Sequence, residues 1–159
     1  MHRTVFFVIL RVMKAIIIED EPLSAAELRT SLAEVAPYIE VVATASSVAE
    51  AVETIDRVDH DLIFMDIHLE DGSGFDIFER ADISVPVIFI TAYDSYALKA
   101  FENKGIDYLL KPFGLDDLRR AIDKLGLLSG GEVRLRSTAP RRRRLRYIRN
   151  DSWYTWAPG

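Results

Sequence analysis

The chain of 159 residues has the length of one domain, and its 49% hydrophobic content can fill a sizeable core, which excludes global disorder. It contains no cysteine, which excludes disulfides and thiolate metal sites and fits a reducing, cytoplasmic setting. The net charge of -5 hides a division: residues 15–131 carry 23 acids against 9 Lys/Arg, whereas both ends are basic, at +3 for the first 14 residues and +6 from 132 onward.

Val5 to Leu10 form an apolar run too short to span a bilayer, with Arg11 closing it and no small-residue cleavage site after it. A marginal membrane anchor is one reading; the other takes Met13 as the natural start and residues 1–12 as a non-native N-terminal extension. From Lys14 to Glu19 the β-branched run "KAIIIE" is a strand buried on both faces. After Pro22, the spacing of Leu23, Leu28, Leu32 and Val35 predicts a helix with one apolar side. Residues 40–45 read as a second strand, and Ser46 or Ser47 as the cap of a helix carrying Val48, Val52 and Ile55. "DLIFMD" (61–66) is the third strand, followed by the Gly72/Gly74 turn and a short helix with Phe75, Ile77 and Phe78. "VPVIFIT" (85–91) is the fourth, with Asp94 or Ser95 capping a fourth helix that contains Ala97, Leu98 and Phe101. "DYLLK" (107–111) is the fifth, and Leu115, Leu118, Ala121, Ile122 and Leu125 space out a fifth helix.

Five strands alternating with five helices give a doubly wound α/β domain: a five-stranded parallel sheet with helices on both faces. Sites in such sheets form beyond the carboxyl ends of the strands. There the sequence offers Glu19, Asp20 and Glu21 after the first strand, Asp66 after the third, Thr91 after the fourth, and Lys111 with Pro112 after the fifth. Carboxylates from separate strands repel one another without a cation, and a compact set of hard oxygen donors suits Mg2+. A hydroxyl and an ammonium opposite it complete a pocket for a phosphoryl group. No P-loop or dinucleotide fingerprint is present, so the fitting chemistry is phosphorylation of the protein itself, with Asp66 as carboxylate nucleophile.

The stretches "IIIEDEP", "DLIFMDIHLEDGSGFD", "FITAYDSYALKAF" and "DYLLKPF" resemble, in order and spacing, the receiver domain of two-component response regulators, over about residues 14–128. The segment 90–113 is most similar to receivers that precede a LytTR-type DNA-binding domain. The resemblance implies a flavodoxin-like strand order 2-1-3-4-5. Glu19, Asp20, Asp66 and the backbone carbonyl of His68 would hold Mg2+, and Asp66 would be the phosphoacceptor. Thr91 would be the switch hydroxyl, Tyr108 the switch aromatic and Lys111 the phosphate contact, with the Lys111–Pro112 bond cis. Glu19 stands where aspartate is commoner. Glu70 and Asp71 read as acids that solubilise the loop, and Glu21 as electrostatic support for a helix start.

The implied partners are a sensor histidine kinase and a second copy, docking through the fourth helix, fifth strand and fifth helix near Leu98, Phe101, Arg119 and Arg120. The domain boundaries are an extension over 1–12, a receiver over 13–128, and a basic, disordered linker or tail over 129–159. That tail is too short for a LytTR module; "RRRRLR" would bind phosphate backbones only non-specifically, and nothing fixes a role for Trp153, Tyr154 and Trp156. DNA contact would therefore run through a C-terminal output domain missing from this sequence. Alternatives are a stand-alone receiver acting through protein contacts, and a haloacid dehalogenase-type enzyme. The latter wants a second aspartate two residues after the nucleophile, where this chain has His68.

Overall fold

The computed structural model describes residues 12–92, 107–128, 145–150 and 153–158. In chain order the elements are β1 (Met13–Ile18), α1 (Pro22–Val35), β2 (Ile39–Ala45), α2 (Val48–Arg57), β3 (Leu62–Met65), β4 (His68–Leu69), β5 (Gly72–Ser73) and α3 (Gly74–Arg80). They continue with β6 (Val87–Thr91), β7 (Asp107–Leu110), a helix labelled α4 (Leu115–Leu128), β8 (Leu145–Asn150) and β9 (Trp153–Pro158). The helix expected to begin at Asp94 or Ser95 lies outside the described residues.

β2-β1-β3-β6-β7 form one parallel sheet, which is the order 2-1-3-4-5 when its own strands are counted. Alternate side chains divide the core in two. Ile16, Ile18, Ile63, Met65 and Phe89 pack with Val48, Ala51 and Ile55 of α2 and Phe75, Ile77 and Phe78 of α3. Ala15, Ile17, Phe64, Ile88 and Ile90 pack on the other face with Leu28 and Leu32 of α1 and Leu118, Ala121, Ile122 and Leu125 of α4. This is the doubly wound, flavodoxin-like fold. Its central strands read as continuous apolar runs because both of their faces are covered.

Two local departures matter. Leu23, expected on the apolar side of α1, is 66% exposed, since Pro22 starts the helix and Leu23 falls on its outer surface. β1 and β2 shift register between Ala15 and Ile16, leaving Val42 without a partner on β1.

The sequence reading expects no regular element after residue 128, yet β8 and β9 pair antiparallel, with Asn150 opposite Trp153. Residues 151 and 152 alone join them, the commonest hairpin connection length. Arginine density masks a stretch whose Tyr147, Ile148, Tyr154, Thr155 and Trp156 favour strands. Among the described residues no helix is long and apolar enough to cross a membrane.

Candidate functional site

Three strand ends converge at the carboxyl edge of the sheet. Glu19 and Asp20 follow β1, Asp66 follows β3, and Lys111 follows β7. Backbone bonds fix each exit. The Glu19 N–H donates to the Ala45 carbonyl at 2.9 Å, the Asp66 N–H to the Ile18 carbonyl at 2.9 Å, and the Lys111 N–H to the Thr91 carbonyl at 2.8 Å. The peptide bond from Lys111 to Pro112 is cis, as the resemblance implied.

The carboxylates are ordered by a shared pattern. Glu19 uses Oε1 to accept from the Glu21 N–H at 3.1 Å, and Asp66 uses Oδ1 to accept from the His68 N–H at 3.1 Å. Each then offers its second oxygen to the Lys111 ammonium, at 2.6 Å from Glu19 Oε2 and 3.1 Å from Asp66 Oδ2. Glu19 and Asp66 are buried, at 9% and 8% exposure. Burial pushes the Glu19 carboxyl up, with the charge of Asp66 adding to the push and Lys111 opposing it. For Lys111, burial pulls down, but the bond to Glu19 and the charge of Asp66 outweigh it and hold the ammonium above its ordinary value.

Asp20 joins this pair: ligand oxygens of Glu19, Asp20 and Asp66 all lie within 4.8 Å of one another. Three carboxylates facing one ammonium leave the cluster short of positive charge, and their hard oxygens are the donor set a small divalent cation takes. The residues fit Mg2+. His68 sits on β4 with its side chain exposed, so its imidazole faces solvent as expected.

Thr91 is fully buried at the end of β6, opposite Leu110. Tyr108 lies two residues earlier on β7, so the two share the face that packs against α2 and α3. Tyr108 is half-buried there. Leu98 and Phe101 lie outside the described residues. Arg119 and Arg120 are not free cations, since they pair with Asp116 and Asp117 of the same helix.

Sequence reasoning missed two participants. Gly74 has no side chain because a Cβ there would stand 2.5 Å from the Asp66 carbonyl oxygen, and its N–H donates to the Ile67 carbonyl at 2.7 Å. The pairing of a loop glycine with a strand end was the available signal. Asp71 is more than a solubilising acid: Oδ1 accepts from the Val48 N–H at 2.6 Å and Oδ2 from the Ala49 N–H at 3.2 Å. No local pattern announces a contact across 23 residues. Glu21 stands at the N-cap of α1 without accepting a backbone N–H there; its carboxylate accepts instead from the hydroxyl of Ser24 in the first turn, at 2.8 Å.

A doubly wound sheet with an acidic cluster facing a lysine at its carboxyl edge defines a class, and the response regulator receiver domain matches residues 15–123; the chain belongs to that family. It is the receiver domain of a two-component response regulator. Among individual proteins it is similar to the sensory transduction protein LytT of Enterococcus faecalis, 44% identical over 124 residues, covering 76% of this chain and 51% of that one. It is similar also to the transcriptional regulatory protein LytR of Staphylococcus aureus, 38% identical, covering 71% of this chain and 47% of LytR. The chain thus spans about half the length of these curated relatives. Among solved structures, the response regulatory domain of mrkE from Klebsiella pneumoniae superimposes with a TM-score of 0.64 at 27% identity, covering 76% of this chain and all of that domain.

Proposed function

We propose that the domain is a phosphorylation-dependent switch that accepts a phosphoryl group on Asp66 from a sensor histidine kinase and so regulates transcription. The observation that carries this is the convergence on one ammonium: Lys111 lies 3.1 Å from Asp66 Oδ2 and 2.6 Å from Glu19 Oε2, at the edge where a phosphoryl group would arrive. An Asp66 oxygen attacks phosphorus, the bond from phosphorus to the donor imidazole breaks, and the electron pair leaves with the imidazole, which takes up a proton. Lys111 exchanges a carboxylate partner for a phosphoryl oxygen. Glu19, Asp20, Asp66 and the His68 carbonyl would hold Mg2+, which supplies neutralisation of the transferred charge.

Thr91 and Tyr108 form the second half of the device. The Thr91 hydroxyl turns toward the phosphoryl group, and the space it vacates on the shared face admits the Tyr108 ring. The reshaped surface, with β7 and α4 at its centre, then favours a homodimer by population shift. DNA contact would belong to an output segment beyond the receiver, as the regulatory names and greater length of the relatives support. A cytoplasmic site of action fits this chemistry.

The test is mass spectrometry after incubation with acetyl phosphate and Mg2+, with chelator as control. One phosphoryl group on Asp66, absent from Asp66→Asn and from the chelated sample, is expected. Equal labelling of wild type and Asp66→Asn would remove Asp66 from its role.

A further inference from the structure

We infer that Asp71 is a positioning residue for the phosphoacceptor site: it clasps the loop from Asp66 to Gly74 onto the start of α2 and so holds the His68 carbonyl in place. The inference rests on the proposed function and deepens it.

The loop is fastened twice, by unrelated bonds. At its base, Asp66 accepts from the His68 N–H at 3.1 Å, Gly74 donates to the Ile67 carbonyl at 2.7 Å, and the Ser73–Asp76 capping box sets the entry to α3. At its tip, Glu70 and Asp71 are the two residues between the paired strands β4 and β5. From that tip both oxygens of Asp71 reach the amides of Val48 and Ala49, at 2.6 and 3.2 Å. Leu69, beside the tip, is buried in the same apolar cluster as Val48.

A hairpin of two residue pairs has almost no stability of its own, so its orientation must come from outside. β4 runs from His68 toward the tip, and a shift at Asp71 therefore reaches the His68 carbonyl through a three-residue lever. α2, for its part, has a cap without Asp71: Ser47 accepts from the Glu50 N–H at 3.1 Å, and Glu50 accepts from the Ser46 N–H at 2.8 Å. Asp71 takes the Val48 and Ala49 amides, which this local box leaves over, and so ties the loop to the first turn of the helix.

The helix and loop roles separate experimentally. Ser47→Ala weakens the start of α2 without touching the loop, whereas Asp71→Ala removes the clasp; Asp71→Asn keeps a carbonyl acceptor. Full-chain variants are titrated with Mg2+ while the amide chemical shifts of Asp66 and His68 are followed, and melting is recorded without the cation. Both Ala variants are expected to melt lower than wild type, but only Asp71→Ala should weaken Mg2+ binding, by about tenfold, with Asp71→Asn in between. Unchanged affinity in Asp71→Ala, or an equal loss in Ser47→Ala, overturns the inference. A wild-type chain whose shifts ignore Mg2+ would instead overturn the proposed function, so the two failures are distinct.

Discussion

The ammonium of Lys111 bridges two buried carboxylates, and this single side chain decides how the cation-free site tolerates its own charge. Lys111→Met would strand Glu19 and Asp66 at a buried edge, at a cost of about 1–3 kcal/mol near neutral pH. The sign of the pH dependence follows from Glu19, whose carboxyl burial already pushes up; without the lysine it rises further. A carboxyl raised on folding contributes stability below its unfolded value, about 4.3, and loses it as pH climbs through the folded value. The deficit of Lys111→Met in melting temperature should therefore widen from mild acid to neutrality and shrink when Mg2+ is added. A deficit constant across that range would show that the lysine acts through packing alone. At this scale Asp66, Glu19, Asp20 and Lys111 were legible because each ends a recognisable strand. Asp71 was not, since its partners depend on where a four-residue ladder puts its tip.

At the scale of elements, α2 joins the site to the acid response of the fold. Glu50 is held below the ordinary glutamate range by the Ser46 N–H and then the Ser46 hydroxyl. Asp71 is lowered in the same direction, first by the Val48 N–H. A depressed carboxylate contributes stability above its unfolded value, about 4, and loses it as pH falls through the folded value. Glu50→Gln should thus melt below wild type at pH 6 and converge with it near pH 3, by circular dichroism. Parallel curves at both pH values would detach Glu50 from the cap. Element type was legible for the five strands of the sheet and the four described helices of the receiver, because buried parallel strands and amphipathic helices carry different periods. The short β4–β5 ladder read only as a turn, and the tail strands were hidden because arginines break up their apolar alternation.

For the whole molecule, the two core layers make the sheet a partition, with α2 and α3 on one side and α1 and α4 on the other. Thr91 and Tyr108 share the first side while Lys111 continues from the end of β7, so a phosphoryl group arriving as proposed at Asp66 would stand within reach of both layers. Adding beryllofluoride and Mg2+ should shift sedimentation of the full chain from monomer toward dimer, and Tyr108→Ala should blunt that shift without preventing the adduct. An unchanged distribution would remove the dimer from the switch. The order of the sheet was legible only through the receiver resemblance, since alternation of strands and helices fixes a parallel sheet but leaves several strand orders open.

The register shift opposite Ala15 gives β2 a frame correction of its own. Val42 is the surplus residue: before it Val41 pairs with Ala15, and after it Ala43, Thr44 and Ala45 pair in step with Ile16, Ile17 and Ile18. Removing Val42 would close the ladder with every remaining side chain still on its present face, whereas removing Phe64 from β3, which pairs with β1 in unbroken register, would turn Met65 to the opposite face of the sheet. Length variation is therefore tolerable in the edge strand that carries a surplus residue and ruinous in the central strand that carries none. A pair of single-residue deletions, compared by melting and by Mg2+ titration, should show the first folded and cation-responsive and the second neither.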